Sequence, residues 1–388
     1  MKRLLLFVLL QTQVLVAQQS FELDAFGNYN STGLRRQIPD AFFYGGAIDS
    51  STIAKSLAKL GARNSFGLQM GSNAVWKSPW ALSKDTKKTA SSYHWAFGAG
   101  IQQYSGLHFS KDAFGLVFQG GLPYLGDTLN LGNLRAESIS FSKIGFGVVN
   151  SLTQSALLVH FVSVHNHIGA SLEDGIWFQD PSSAQINLAL EGSAQMSNAK
   201  GGFGFAIDLD YRFGSIQEED QEQQFQLLIQ NFGVARLSNM PTYALNGALQ
   251  YQGFSLAEWQ QTNLNDLAGK FLDTLGYQRS TTSNWVFLPT TVILAKRIDW
   301  ESTVRLQAYY GAQFILRQTY TPLIYAGAHV RLSKVWHTGV GMAYGGFGGL
   351  RAQAYSAFHF KRSQLALRSD NIIMQNGASL YIQYRCDF

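Results

Sequence analysis

Four residues within one short stretch carry the strongest chemical potential in this 388-residue sequence: His160, Ser163, His165 and His167. The spacing puts His165 and His167 on one face of a strand, where two imidazoles could share a metal ion. Ser163 beside a histidine could serve a hydrolase if an acidic or amide partner stood near. The sequence completes neither chemistry. No third ligand follows at a fixed spacing, and no Gly-x-Ser-x-Gly elbow surrounds Ser163, so the cluster reads as polar residues near the end of a strand. The glycine-rich run Gly339 to Gly349 (GVGMAYGGFGG) lacks the Lys-Ser/Thr of a phosphate loop and reads as close-packed strands around a hairpin turn. The run Gln217 to Gln224 (QEEDQEQQ) reads as a solvated loop. Catalytic, cofactor-binding and metal-binding residues are therefore expected to be none.

A second constellation is defined by which face of a strand its members occupy. Over Phe203 to Phe213, Phe203, Phe205, Ile207, Leu209, Tyr211 and Phe213 alternate with Gly204, Ala206, Asp208, Asp210 and Arg212. Period-two alternation is the mark of a strand with two unlike environments. The same reading places Arg305, Gln307 and Gln313 on the polar face of 303–314. It places Tyr325, Gly327, His329 and Arg331 together within 323–332, and Arg351, Gln353, Tyr355 and His359 within 350–360. If the aromatic faces meet lipid, these polar residues line a lumen. Charges of both signs favour a filled or plugged lumen of ion pairs over an open, single-sign pore.

The elements that must hold such residues are strands. Charged residues are 14% of the chain, against about 25% in soluble domains, while Gly (38), Phe (27) and Tyr (17) are plentiful. No apolar stretch of the ~20 residues a transmembrane helix needs occurs beyond the first residues. Alternation hides the apolar content and leaves a mean hydropathy of −0.05. Further strands are expected at 66–76, 92–102, 113–119, 137–149, 155–165, 185–190, 225–235, 243–251, 284–296, 335–346, 363–371 and 377–388. Some must be halves of interrupted strands, since the pattern slips between Phe141 and Ile144, as at a bulge, and Pro289 breaks another. The expected fold is all-β: a single transmembrane antiparallel barrel of about fourteen strands, within a range of twelve to sixteen. Short helices are expected at 51–60 and 255–275, the latter opened by the capping-box pattern Ser255 to Glu258.

The ends of the chain set the address. Lys2 and Arg3 before the apolar run Leu4 to Leu10 read as a signal peptide over 1–17. Loss of Lys2 and Arg3 would lower the formal charge from +5 to +3, no argument for nucleic acid. Cys386 has no partner cysteine, so the fold does not depend on oxidation. In the last strand Leu380, Ile382, Tyr384, Cys386 and Phe388 share one face, against Gln383, Arg385 and Asp387. That strand resembles the terminal strand by which outer-membrane barrels are recognised for assembly, with Phe388 as the signal. Residues 18–62 lack clear alternation and are expected to form a plug or mouth cover ahead of a barrel over 63–388.

Several phrases resemble an uncharacterised family of outer-membrane barrel proteins of the Bacteroidota. They are Ser105 to Asp112 (SGLHFSKD), Phe118 to Gly126 (FQGGLPYLG), Leu228 to Arg236 (LIQNFGVAR), Trp285 to Pro289 (WVFLP) and Arg368 to Ile373 (RSDNII). The family's Asn-Pro-Ala near the start is replaced here by Ile38-Pro39-Asp40. In outline the family is similar to fatty-acid-transporter-type barrels and to the barrel of the type IX secretion system. The resemblance implies fold and outer-membrane location, not activity. Three readings follow: a transport barrel for a small or hydrophobic ligand, a structural or secretion-accessory barrel that binds envelope protein partners, and, least favoured, an enzyme. Expected partners are outer-membrane lipid and the barrel-assembly machinery, with no nucleic acid and no cofactor.

Overall fold

Alternation of side chains dictates a sheet with an inside and an outside, and the computed structural model closes that sheet on itself. It describes residues 19–79, 93–150, 152–183, 185–197, 201–215, 223–252, 274–298 and 304–388. The expected signal peptide, nearly all of the helix expected over 255–275 and most of the acidic loop lie outside the described residues.

Fourteen antiparallel strands form the wall. In chain order they are β1 (Ser20–Ser31), β2 (Asn64–Pro79), β3 (Tyr93–Phe109), β4 (Thr128–Asn130 continued by Leu134–Asn150) and β5 (Ala156–Gln179). Next come β6 (Ile186–Met196 continued by Gly202–Ser215), β7 (Gln223–Tyr251) and β8 (Gln278–Phe287 continued by Thr291–Lys296). The remainder are β9 (Leu306–Ile315), β10 (Thr321–Arg331), β11 (Trp336–Gly346), β12 (Gly348–His359), β13 (Ser363–Ser369) and β14 (Gly377–Asp387). β1 and β14 close the barrel in register from Ser20 opposite Asp387 to Asn30 opposite Gly377. The break in β8 falls at Leu288-Pro289-Thr290, where proline has no amide hydrogen for the ladder.

The wall is apolar outside and mixed inside. Phe203 and Phe205 are 60% and 65% exposed on the outer surface, whereas Ala206 between β5 and β7 is 1% exposed. The slip at Phe141 has a different cause from the one expected. β4 keeps its alternation, with Ile139 and Phe141 buried and Ile144 and Phe146 exposed. The irregularity is opposite Ser140 and Phe141, where β5 carries His165 as an extra residue. The pattern changes because this level of the interior is itself apolar.

The barrel begins at Ser20 and not at 63. β1 was illegible because Phe26 faces inward onto Tyr381, at 6.2 Å between ring centres, while Gly27 occupies an outer position. The expected strand at 113–119 is a helix. Ser110 Oγ accepts the Ala113 amide hydrogen at 3.0 Å, Asp112 sits in the first turn, and Gly120 terminates the helix at φ +74°. We number the helices α1 (Gln37–Tyr44), α2 (Ser50–Leu57) and α3 (Lys111–Gln119). α2 is capped by Asp49, whose carboxylate accepts from Thr52 N at 2.8 Å. Hydrogen bonds from Ser51 and Thr52 hold the Asp49 carboxyl down at about 2.

These helices form a cluster of Leu34, Ile38, Leu60, Phe109 and Phe114, joined by Phe66 and Leu107. Leu107 and Phe109 share strand parity with the exposed Phe97 and Ile101. Residues 32–63 therefore clasp the outer surface of β2 and β3 at one rim and do not enter the lumen. No described helix is long and apolar enough to cross a membrane.

Candidate functional site

The inward faces enclose a cavity of about 490 Å³, which reaches from Arg297, near the end where both termini lie, to Tyr104 in the interior. Beyond Tyr104 the interior becomes apolar. Ile139, Phe141, Val162, Val164, Leu237, Met240 and Leu288 point inward from β4 to β8 and form one buried cluster with Tyr104 and Phe347.

Phe347 is the only member supplied by a turn among those described. The sequence Gly345-Gly346-Phe347 joins β11 to β12, and Gly345 and Gly346 adopt φ of +100° and +69°, a region that side chains other than glycine's disfavour. The hairpin thereby folds inward and leaves Phe347 2% exposed, against Tyr104 (5.7 Å between ring centres) and Tyr320 (5.1 Å). Arg351 holds the turn through Nη1, which donates to the carbonyls of Gly345 (2.8 Å) and Gly349 (3.2 Å).

A strap crosses beside it. Residues 316–320 connect β9 to β10, yet Arg317 Nη1 lies 3.3 Å from Glu137 Oε2 on β4. Thr319 bonds to that carboxylate and lies 2.9 Å from Tyr104 Oη. Gly106 permits this approach, since a side chain there would collide with Thr319. A second cavity of about 580 Å³ lies between this strap and the inner positions His167, Ser171 and Gln195.

A buried polar lattice packs below the apolar cluster. Lys143 Nζ is 2.5 Å from Asp208 Oδ2 and 2.7 Å from Asn231 Oδ1. His160 Nε2 is 3.1 Å from the same Asp208 oxygen. Asp208 Oδ1 also accepts the Asn231 amide hydrogen at 2.7 Å. Asn231 Nδ2 donates to Gln102 at 2.8 Å, and Gln102 to Asn73 at 3.1 Å, so the lattice spans β2 to β7. Asn231 has φ +57° at a bulge opposite Asp208, which turns its amide toward the carboxylate. A buried charge of this kind needs its partner to offset desolvation.

The residues expected on the lumen face are dispersed along it. Asp208 belongs to the lattice. Asp210 binds Arg212 (2.8 Å) and Gln226 (2.7 Å) closer to the terminal end. Arg351 braces the hairpin, and Gln353 donates to Asp370 at 3.3 Å. Gln307 lies near the terminal end of β9. Arg305 precedes β9 and is exposed; its carbonyl accepts from Arg331, at the end of β10. Arg385 pairs with Asp387 at 3.1 Å, and Phe388 is half-exposed with its amide donating to Gln19.

His165 and His167 do not share a face. The bulge leaves His165 exposed and 3.0 Å from Ser142, and turns His167 into the interior. Among the described residues no group of three His, Cys, Asp or Glu side chains gathers as a metal site.

The sequence reading missed Lys143, His160, Asn231 and Phe347 as parts of one interior. It placed Tyr325 and Tyr355 on polar faces without naming them as site residues; together with Tyr309 and Tyr381 they line the cavity on one side, with Arg368 among them. Arg368 Cζ lies 5.4 Å from the Tyr325 ring centre and 5.3 Å from that of Tyr381. The available signal was tyrosine recurring on the polar face of strands whose neighbours carry glycine.

No family model matches the chain, and no curated protein does. Among solved structures it is similar to the Ralstonia pickettii toluene transporter TbuX, at 11% identity, 96% of this chain, 90% of that chain and a TM-score of 0.37. A Pseudomonas aeruginosa FadL homologue gives 10% identity, 96% and 90% coverage and a TM-score of 0.39. The transport unit of the Escherichia coli autotransporter AIDA-I gives 9%, 96%, 90% and 0.26. Likeness at this level carries no information on ligand or activity.

Proposed function

We propose that this chain is an outer-membrane transport barrel that admits a small ligand into a largely filled lumen and is closed at the far end by Phe347. The observation that carries the reading is a cavity of about 490 Å³ ending on the apolar cluster around Tyr104 and Phe347. A cavity of that size is within the range of small-molecule sites. In this reading the chain is exported by its signal peptide, delivered by the assembly machinery through Phe388, and grouped with the uncharacterised outer-membrane family it resembles. It is no enzyme and binds neither cofactor nor nucleic acid. The short connections at the terminal end face the periplasm, and the helix-bearing rim faces outward.

The test is solute entry into liposomes holding wild-type protein or Phe347→Ala. Faster entry in the variant supports a gated path. Entry no faster than in protein-free liposomes for both, with insertion verified, removes the transport reading.

One observation favours the scaffold reading. β7 has 29 residues, about 95 Å of extended chain, where a membrane crossing takes ~9 to 11 residues. Beyond Met240 it pairs with residues Ile186 to Gln195 of β6, giving a tall wall for a protein partner. Capture of an envelope protein that is lost when this wall is trimmed would support that reading over transport.

A further inference from the structure

We propose that the three helices on the outer wall form a lipid-docking collar, whose aromatic tip enters the outer leaflet and whose lysines meet the phosphates of lipid headgroups; this rests on the outer-membrane reading above. Helix α1 is seated on the outside of the barrel. Tyr29 Oη donates to Asp40, and the ring of Phe43 stands 5.8 Å from that of Tyr29 and 6.5 Å from that of Phe66. Tyr29 and Phe66 lie on the outer faces of β1 and β2, in step with the exposed Leu23 and Met70. Ile38 and Pro39, in the first turn of α1, are buried. The opposite end is uncovered: Phe42 and Tyr44 on α1, Val117 on α3 and Leu122 after it are 71% to 81% exposed.

The strands set the height of this tip. Trp76 and Trp95 are exposed on the outer face toward the terminal end, as in the aromatic girdles that border the apolar band of a barrel. The stretch of β2 from Trp76 back to Phe66 matches the ~9 to 11 residues of one tilted membrane crossing. Phe66 therefore stands at the far edge of the band, and Phe43, packed on it, at headgroup level. Other strands carry their own exposed aromatic side chains toward this rim, Phe203, Trp285 and Tyr344. On β1 to β3 helices cover those positions, and Phe42 and Tyr44 take the place of the girdle.

The charges of the collar suit an anionic surface. Lys55, Lys59 and Lys111 are exposed, and none has an ion-pair partner among the described residues. The carboxylates of the same helices are engaged: Asp40 binds Arg36 at 2.9 Å, Asp49 caps α2, and Asp112 accepts the Asn130 amide hydrogen at 3.0 Å. The apolar tip is continuous, through Phe66, with the outer wall below it. Aromatic side chains joined to unpaired lysines make an interfacial anchor on lipid that carries phosphate.

The experiment uses the full mature chain with Cys386→Ser, refolded into vesicles of phosphatidylcholine and phosphatidylglycerol. A bimane fluorophore is attached through Tyr44→Cys or, as a second site, Val117→Cys. Ile207→Cys is the lipid reference, and Ser182→Cys, in an exposed turn, is the water reference. Quenching by nitroxide-labelled lipid reports contact with the leaflet, and quenching by iodide reports contact with water. The expected result at both collar sites is strong quenching by lipid and iodide quenching about fivefold weaker than at Ser182→Cys. Nitroxide phosphatidylglycerol should quench more than nitroxide phosphatidylcholine, and Lys55→Gln, Lys59→Gln and Lys111→Gln together should reduce that preference by about threefold.

Iodide quenching at both collar sites equal to that at Ser182→Cys, while Ile207→Cys meets lipid, overturns the proposal, leaves the tip to a protein partner and keeps the outer-membrane barrel standing. Shielding from iodide that appears only at high protein-to-lipid ratio assigns the collar to a second copy of the chain and also overturns it. Equal quenching by the two lipids, or a preference unchanged without the three lysines, overturns it as well. Failure of Ile207→Cys to meet lipid, in protein whose gel mobility changes on heating, removes the outer-membrane reading and this proposal with it.

Discussion

The ring of Phe347 lies flat on the backbone of Gly67, a residue of β2 on another side of the barrel. One hairpin thereby reaches across the lumen, and the contact depends on glycine at 67. Phe347→Ala removes a side chain that is 2% exposed, a change that costs about 3–5 kcal/mol in a packed core. The expected outcome is a lower urea midpoint together with faster solute entry. Gly67→Val should expel the ring and reproduce the faster entry without touching Phe347.

Lys143 and Asp208 are interdependent. Asp208→Asn leaves the buried ammonium of Lys143 with only Asn231 and a neutral amide, and Lys143→Met leaves the carboxylate with His160. Each should destabilise the refolded barrel by about 3–5 kcal/mol. The double variant should lose clearly less than the two losses added, which a double-mutant cycle of urea unfolding reads directly.

Outer positions obey a different rule. Ile207 is 41% exposed on the outer surface, and Ile207→Arg should cost about 2–4 kcal/mol of insertion into lipid. Ile207→Leu should be neutral. Folding yields in vesicles of the two variants provide the measurement.

Phe388 is 52% exposed and its amide, not its ring, ties it to Gln19. Full burial of such a side chain is worth ~1.5–3 kcal/mol, and half burial less. Deleting Phe388 should therefore barely move the unfolding midpoint of refolded protein while sharply lowering the amount assembled in cells. A parallel fall in both would reduce Phe388 to a packing residue.

The wall was legible where the two environments differ, as at Phe203 to Phe213, because one face meets an apolar surround and the other holds Asp208, Asp210 and Arg212. It was obscured where the interior is also apolar. Ile139 and Phe141 point inward at the level of Phe347, so β4 loses its contrast there. Phe26 does the same in β1, which hid the first strand inside an expected plug. The lattice was illegible for another reason: Lys143, Asp208 and Asn231 are brought together across β4, β6 and β7 by a bulge, and a bulge displaces register by one residue without leaving a motif. The helix α3 was missed because its phenylalanines suit a strand equally well, and only the Ser110 cap and Gly120 decide the matter.

The closure of β1 on β14 has a consequence for how the molecule is made. Its partners, from Ser20 with Asp387 to Asn30 with Gly377, lie at opposite ends of the chain, so this pairing is the contact of greatest sequence separation in the wall and the slowest kind to find by chance. Hairpins such as β9 with β10 can zip locally, but the two last edges cannot meet until the strands between them are in place. Until then the nascent sheet exposes two open edges able to capture a neighbouring chain. Both edges are closed only by this last pairing, so the sheet loses its open edges in a single step.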